Sequence, residues 1–200
     1  MRKEDVAQVT DIDREAFSTQ WPPPNYQYEL QKRLTYHMVI FDGEKTVNKP
    51  EVKPSRFKWL LRPFRFFSDR LQPSGHYIIG FIGLWILADE AHVISIAVRE
   101  AYRQRGIGEL LLISGISLAM ELKTRIVTLE VRASNVAAQS LYAKYGFSRA
   151  GVRRSYYTDN REDGVLMSTQ DITSAPFKAG LQHLRQVHSR KWGVTLKQIS

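Results

Sequence analysis

Hydrophobic and polar positions alternate in several short stretches of the chain and recur at helical spacing in others. The alternation predicts strands over residues 37–41, 76–87, 92–98, 125–131, 147–150 and 164–168. Spacings of three and four residues predict helices over 4–17, 25–36, 107–118 and 136–145, and from residue 175 onward. Strands and helices alternate through most of the chain before a final pair of strands, which predicts a mixed α/β (α+β) domain.

Length and composition narrow the class of protein. Two hundred residues, 43% of them hydrophobic, suffice for one domain with a buried core and some additional segments. The chain has no cysteine, which excludes disulfides and thiol catalysis and fits a reducing compartment. The first residues are charged, and no apolar run approaches the roughly 18 residues of a membrane span. We therefore expect a cytoplasmic protein.

The net charge of +9 is concentrated in two parts of the chain. Residues 44–75 hold eight Lys and Arg against three Asp and Glu, residues 171–200 hold five against one, and the rest carry 16 of each sign. The first part also holds four of the eight prolines and is far longer than an ordinary strand connection. We therefore expect a neutral body over 1–170 with a basic insertion at 44–75, followed by a basic amphipathic C-terminal tail over 171–200.

The insertion has a centre in which aromatic and basic residues alternate, at 56–67. Such a stretch, together with the basic tail, is a candidate for contact with an anionic surface such as RNA or a membrane. The alternative is that the insertion packs against its own domain.

A glycine-containing turn lies between a predicted strand and a predicted helix, with Arg103, Gly106 and Gly108 in it. Glycines before a helix let backbone amides converge where the helix dipole is positive, which suits a pyrophosphate. A Walker loop would need Lys-Ser or Lys-Thr after Gly108, where the chain has Glu109, and a dinucleotide fingerprint would need a small residue in place of Leu111. Both of those loops are excluded, and a plain strand-to-helix turn remains the alternative.

The turn resembles the acetyl-CoA loop of the GNAT family of N-acetyltransferases, with its Arg/Gln-x-x-Gly-x-Gly signature. The segments LEVRASN at 129–135 and AQSLYAKYGF at 138–147 continue the same motif set in the same order. Within the family, the chain is most similar to the RimI type, the ribosomal-protein alanine N-acetyltransferases of prokaryotes. The resemblance extends over about 4–43 and 76–169, and covers neither the insertion nor the tail.

This resemblance implies the GNAT fold, a central, mostly antiparallel twisted sheet flanked by helices, with two strands splayed at the acetyl-CoA site. It implies acetyl-CoA as co-substrate and no metal. The residues implied to contact the coenzyme are Ile96, Ala97 and Val98 through their backbone, together with Arg103, Gln104, Arg105, Gly106, Ile107, Gly108, Asn135 and Tyr142. Asn135 also suits a helix N-cap, and the two roles are compatible.

The resemblance also places Glu130 at the family's general-base position and Tyr142 at that of the general acid beside the CoA sulfur. A peptide α-amine has a pKa of about 7.7 to 8.0, so a modest base suffices. A phenol with a pKa of about 10 stays protonated at pH 7 and can donate to the departing sulfur. The alternatives are a solvated strand glutamate and a core-facing tyrosine. Trp21, Tyr156 and Tyr157 are the predicted walls of a peptide slot, although Trp21 alternatively packs on the core.

These features predict an acetyl-CoA-dependent enzyme that acetylates a protein N-terminus, with a ribosomal protein as a candidate substrate. Two alternatives stay open: a GNAT enzyme that acetylates a lysine or a small-molecule amine, and a basic RNA- or membrane-binding module with an inactive body. The histidines show no metal-ligand spacing, and no Gly-x-Ser-x-Gly elbow occurs. Because the first predicted helix begins at residue 4, we expect the opening strand of the fold to be shortened or absent.

Overall fold

The computed structural model describes residues 1–17, 24–46 and 75–193. Its helices are α1 (Val6–Ala16), α2 (Tyr26–Glu29), α3 (Ile107–Glu121), α4 (Val136–Lys144) and α5 (Ala175–Trp192). Its strands are β1 (Thr35–Thr46), β2 (His76–Leu87), β3 (Glu90–Val98), β4 (Ile126–Arg132), β5 (Phe147–Tyr157) and β6 (Glu162–Thr169). Short 3-10 helices, Lys3–Asp5 and Glu100–Tyr102, precede α1 and α3.

The six strands form one sheet in the order β1-β2-β3-β4-β6-β5. Neighbouring strands run antiparallel except β3 and β4, which are parallel. A parallel pair needs a crossover connection, and α3 supplies it between these two strands. The predicted mixed α/β domain with a mostly antiparallel sheet is confirmed.

The two parallel strands separate halfway along their length. Only Glu90–Val93 and Ile126–Leu129 pair, although β3 continues to Val98 and β4 to Arg132. The edge of residues 96–98 that faces β4 therefore has no strand partner in the described part of the chain. This separation is the predicted splay.

Hydrophobic residues pack on both faces of the sheet. Phe81 and Ile82 are neighbours on β2, so they point to opposite faces. Ile82 belongs to the larger core cluster with Ile116 of α3, and Phe81 to a smaller cluster with Ile12 of α1 and Tyr26 of α2. Each fully buried side chain of this size stabilises the fold by roughly 1.5–3 kcal/mol, which fixes α3 on one face and α1 and α2 on the other.

The helix predicted over 25–36 is wrong beyond its first turn. The structure has helix only at Tyr26–Glu29, and β1 begins at Thr35. Tyr26 is buried while Leu34 is half exposed, so the apolar residues at helical spacing do not form one buried face. Thr35 and Tyr36 instead pair with β2, where β-branched and aromatic residues pack well.

The two closing strands are longer than the predicted ones, so β5 and β6 enclose a shorter turn than expected. The helix predicted from residue 175 is α5, and its Leu181 is buried in the larger cluster, with Phe177 and Leu184 packed against it. Most of the predicted insertion, residues 47–74, and the end of the predicted tail, residues 194–200, lie outside the described residues. None of the helices that the structure describes has the length and apolar character needed to cross a bilayer.

Candidate active site

The turn between β3 and α3 has the backbone geometry of the predicted anion site. Gly106 is left-handed, with φ of 73°, and is the N-cap of α3. The first helical hydrogen bond runs from the Leu110 amide to the Gly106 carbonyl, so the amides of residues 107–109 have no acceptor within the helix. These amides, at the positive end of the helix dipole, suit a diphosphate. We call residues 103–108 the coenzyme loop.

Two arginines and open space lie beside the coenzyme loop. Arg103 and Arg105 are both exposed beside the turn. Arg103 Nε donates to the Val98 carbonyl at 3.3 Å, and the Arg105 guanidinium lies 5.3 Å from the centre of the Tyr102 ring. A Cβ at Gly108 would come no closer than 3.8 Å to Val98. The residues present therefore fit the coenzyme that the sequence predicts.

Glu130 lies on the opposite face of β4 from its two neighbours, as predicted. Leu129 and Val131 are buried in the larger core cluster. The Glu130 side chain is only 6% exposed, with Oε2 2.9 Å from His92 Nε2 and Oε1 3.0 Å from Arg153 Nε. This burial and pairing exclude the solvated glutamate that was the alternative.

His92 links Glu130 to two further polar groups along β3 and β4. Its Nδ1 lies 2.8 Å from the Thr128 hydroxyl, which donates to the Glu90 carboxylate. Because the only proton of the hydroxyl points to that carboxylate, the hydroxyl oxygen accepts from Nδ1–H of His92. Nε2 is then the ring nitrogen that can share a proton with Glu130.

Tyr142 is a buried tyrosine with a protonated phenol. It belongs to the larger core cluster, and its ring centre lies 5.8 Å from that of Phe147. Burial raises the pKa of Tyr142 to about 12, so at pH 7 the hydroxyl can act as a donor. The core-facing tyrosine and the predicted proton donor are therefore compatible.

Tyr156 and Tyr157 lie together at the end of β5, beside Glu130. Their rings meet edge to face at 5.2 Å, with Arg153 over the first ring at 5.5 Å and Arg132 over the second at 4.0 Å. Burial raises the pKa of both phenols, that of Tyr157 to about 12, and the Glu130 carboxylate raises both further. The structure therefore brings these two predicted slot residues to the predicted base.

The remaining predicted contacts are Asn135, the backbone of residues 96–98 and Trp21. Asn135 caps α4, because its Oδ1 accepts from the Ala138 amide at 3.1 Å, and this cap uses only the carbonyl oxygen of the side chain. The unpaired edge of residues 96–98 lies before the coenzyme loop, as the splay requires. Trp21 lies outside the described residues.

The turn between β5 and β6 is tied to the end of β4. Arg132 contacts Asp159 at 3.0 Å and Glu162 at 3.2 Å. Glu162 also accepts from the Ser134 amide at 2.7 Å. Hydrogen bonds from Ser134, Asn160 and Arg132 lower the pKa of Glu162 to about 2. This network fixes the end of the hairpin that carries Tyr157.

Sequence reasoning missed the partners of Glu130. His92 and Arg153 both lie in stretches with family-like motifs, but their contact with Glu130 depends on strand register. It also missed that His188 Nε2, on α5, lies 2.9 Å from the Gly106 carbonyl. No local pattern marks a contact between residues 82 positions apart. Among the residues that the structure describes, no group of three or more His, Asp and Glu side chains is placed to hold a metal ion.

Comparisons with known proteins agree with this geometry. The profile of the Acetyltransferase (GNAT) family matches residues 6–147. A Bacillus subtilis (strain 168) protein, provisionally named a ribosomal protein bS18-alanine N-acetyltransferase, is 31% identical over 167 residues, covering 84% of this chain and 90% of that protein. An N-alpha-acetyltransferase of Saccharolobus solfataricus is 41% identical over 168 residues, covering 84% of this chain and 88% of that protein.

A solved structure is also similar over most of the chain. The crystal structure of the ribosomal-protein-S18-alanine N-acetyltransferase from Escherichia coli gives a TM-score of 0.62 at 25% identity. The match covers 86% of this chain and 90% of that chain.

Proposed function

This chain belongs to the GNAT family of acetyltransferases, and we propose that it transfers acetyl from acetyl-CoA to the α-amine of a protein N-terminus. The names of its relatives support an N-terminal substrate, and those named for bS18 support a ribosomal protein that begins with alanine. Such a substrate places the reaction in the cytoplasm, where ribosomal proteins are made.

The observation that carries this proposal is the position of Glu130. Its carboxylate lies just beyond the point where β3 and β4 part, on the face that carries Tyr156 and Tyr157. A base at this point lies between a coenzyme site on one side and an acceptor slot on the other. The paired His92 gives the base a second group to share the proton.

Two parts of the chain would hold the coenzyme. The coenzyme loop supplies backbone amides and two arginines for the diphosphate. The free edge of residues 96–98 supplies backbone groups for the pantetheine arm and the thioester oxygen. Acetyl-CoA supplies an acetyl group that is activated as a thioester.

Glu130 activates the amine in this proposal. It takes a proton from the ammonium form of the acceptor, directly or through a water, and the amine becomes a neutral nucleophile. His92 Nε2, at 2.9 Å, shares that proton, while the hydroxyl of Thr128 holds the imidazole in place. Arg153 orients the other oxygen of the carboxylate.

Tyr142 assists the departure of the thiolate. Its phenol donates a proton to the sulfur as negative charge develops there. Burial, which raises the pKa of Tyr142 to about 12, keeps this proton in place at every ordinary assay pH.

A peptide panel tests the proposal. The peptides begin with alanine and differ at the second residue. Each is made in one form with a free N-terminus and in a second form that has a blocked N-terminus and an internal lysine. We expect mass spectrometry to find one acetyl group on the free α-amine and none on the blocked peptides. Acetylation of the internal lysine, or of a free polyamine at a similar rate, would instead support the lysine or small-molecule alternative.

The charge of α5 favours a second, additional role. The helix carries Lys178, Arg185, Arg190 and Lys191, all exposed, and no acidic residue. We propose that these side chains contact an anionic surface, and ribosomal RNA is the candidate that fits the proposed substrate. Binding to a ribosomal RNA fragment should weaken steeply with salt and should fall when these residues are changed to Gln. Equal binding by that variant would contradict this role.

A further inference from the structure

The C-terminal helix reaches the coenzyme loop. His188, in the last turns of α5, is 3% exposed, and its Nε2 lies 2.9 Å from the Gly106 carbonyl. A carbonyl can only accept, so Nε2 carries the hydrogen and donates it. The carbonyl therefore has two donors, the amide of Leu110 in its own helix and the imidazole of α5.

Trp192 packs on the same glycine. A Cβ at Gly106 would lie 2.5 Å from Trp192 Nε1 and 2.7 Å from two ring carbons. The indole N–H is buried and has no hydrogen-bond partner among the described residues. A buried donor without a partner is unfavourable. Packing against the loop, and not a hydrogen bond, therefore holds the ring in this position.

The first turn of α3 is also anchored by the end of α4. Glu109, directly after the loop, accepts from the Tyr145 hydroxyl at 2.7 Å and pairs with Lys144. Tyr145 and Lys144 lie at the end of α4, so the ends of α4 and α5 both anchor the start of α3. The loop is thus a three-helix junction and not a free turn.

We propose that α5 is part of the acetyl-CoA site, with His188 and Trp192 as positioning residues that hold the coenzyme loop in its binding conformation. The proposal rests on the proposed role of residues 103–108 in binding the diphosphate. His188 fixes the Gly106 carbonyl, which directs the peptide plane that follows it. The Trp192 ring occupies the space that a Cβ at Gly106 would fill, so it packs directly against the loop.

The test compares two donors of acetyl. Acetyl-CoA carries the diphosphate, whereas S-acetylpantetheine carries the same thioester and arm without it. We expect His188→Leu to raise the KM for acetyl-CoA about three- to tenfold, the scale of one lost hydrogen bond, with kcat unchanged. The kcat/KM for S-acetylpantetheine should stay at the wild-type value, because that donor does not use the loop.

A conservative variant and a matched control separate positioning from general destabilisation. His188→Gln keeps a donor at a similar reach and should restore most of the affinity. Phe177→Leu changes another aromatic residue of α5, one that packs near Gly146 and not near the loop. It should lower Tm while leaving the ratio of the two donors unchanged. The proposal would be overturned if His188→Leu lowered kcat/KM equally for both donors, or if it left the KM for acetyl-CoA unchanged.

A separate variant tests whether the coenzyme loop binds the diphosphate at all. Gly108→Val adds a branched side chain over the loop, and its Cβ meets no atom of the protein closer than Val98, at 3.8 Å. If this variant leaves the advantage of acetyl-CoA over S-acetylpantetheine intact, the loop does not bind the diphosphate. If it removes that advantage while His188→Leu does not, only the role of α5 is wrong.

A second measurement does not depend on turnover. Because coupling between sites is reciprocal, CoA bound at the loop should protect the end of α5 from opening. We expect amide hydrogen exchange over residues 186–192 to slow when CoA is added, and to slow much less in Trp192→Ala. Unchanged exchange in the wild-type protein would contradict the proposal.

Discussion

At the scale of single residues, the proposed mechanism depends on the Glu130 carboxylate and on the two side chains that contact it. Glu130 shares its two oxygens between Arg153 and His92, and only 6% of its side chain is exposed. The Arg153 guanidinium can only donate, whereas a ring nitrogen of His92 can either accept or donate a hydrogen. In the proposed mechanism, the proton that Glu130 takes up is therefore shared with His92.

Replacing Glu130 by Gln tests this assignment. The amide keeps the size of the side chain and removes the base, so kcat should fall by about 10²-fold or more while the KM for acetyl-CoA changes little. Steady-state kinetics with a peptide acceptor measure both constants. Glu100→Gln, an exposed glutamate after β3, is the matched control and should behave as wild type. Unchanged turnover in Glu130→Gln would remove Glu130 from the mechanism.

Tyr142→Phe separates the phenol from the ring. Phenylalanine keeps the packing against Phe147 and removes only the hydroxyl. We expect kcat to fall by about 10²-fold with Tm close to that of the wild-type protein, because the lost group is a proton donor and not a core contact. Calorimetry measures Tm, and single-turnover kinetics measure the rate of acetyl transfer. Full activity would leave Tyr142 with a packing role only.

The residues of the site were predictable to different degrees. Glu130 and Tyr142 stand in motifs with a fixed spacing, so their positions can be assigned from the sequence. The contact of His92 with Glu130 requires the register that places Val93 opposite Leu129, and short parallel strands do not show their register in a single sequence.

At the scale of elements, the hairpin of β5 and β6 positions the two tyrosines of the proposed acceptor slot. Arg132 bridges from β4 to the hairpin turn and stacks on Tyr157. Arg132→Met keeps the stem and removes the charge, which should loosen Tyr157. We expect the KM for the peptide to rise about three- to tenfold, while the KM for acetyl-CoA stays constant.

A control on the same hairpin makes this prediction specific. Among the described residues, Arg154 pairs within the hairpin, with Asp163, and its side chain is 86% exposed. Such an exposed pair contributes little, so Arg154→Gln should leave both KM values unchanged. Parallel changes in the two variants would show that charge, and not the bridge from β4, sets peptide affinity.

Elements were predictable where periodicity and burial agree. The bounds of β2 follow directly from the apolar run at 76–87, because this central strand is buried on both faces over much of its length. The helix predicted at 25–36 failed because three apolar residues at helical spacing belong to different structures. Tyr26 fills the core from α2, whereas Leu34 precedes the edge strand β1. The pattern within one segment cannot show that division.

At the scale of the whole molecule, buried tyrosines make stability sensitive to alkaline pH. Burial raises the pKa of Tyr142 and Tyr157 to about 12, against about 10 in an unfolded chain. Burial and a hydrogen bond to a carboxylate also raise the pKa of Tyr26 and Tyr145. The unfolded state therefore loses its phenol protons first as pH rises.

The direction of the change in stability with pH follows from this order of ionisation. The stabilisation is fully present below about pH 10 and is lost between about pH 10 and 12, as the unfolded chain ionises and the folded one does not. We expect Tm to stay level up to about pH 9.5 and to fall steeply above it, less steeply in Tyr142→Phe. Circular dichroism melts across this range measure the fall, and a level Tm to pH 11 would contradict the assigned burial.

The connection between β1 and β2 has a consequence for how this enzyme can be altered. Thr46 pairs with His76, so the two strand ends that residues 47–75 join are already adjacent. A two-residue Asn-Gly turn spans such neighbours. Exchanging the segment for that turn should leave thermal stability and turnover of a short peptide intact. If both values hold, residues 47–75 can be exchanged or removed while the pairing of β1 with β2 is kept.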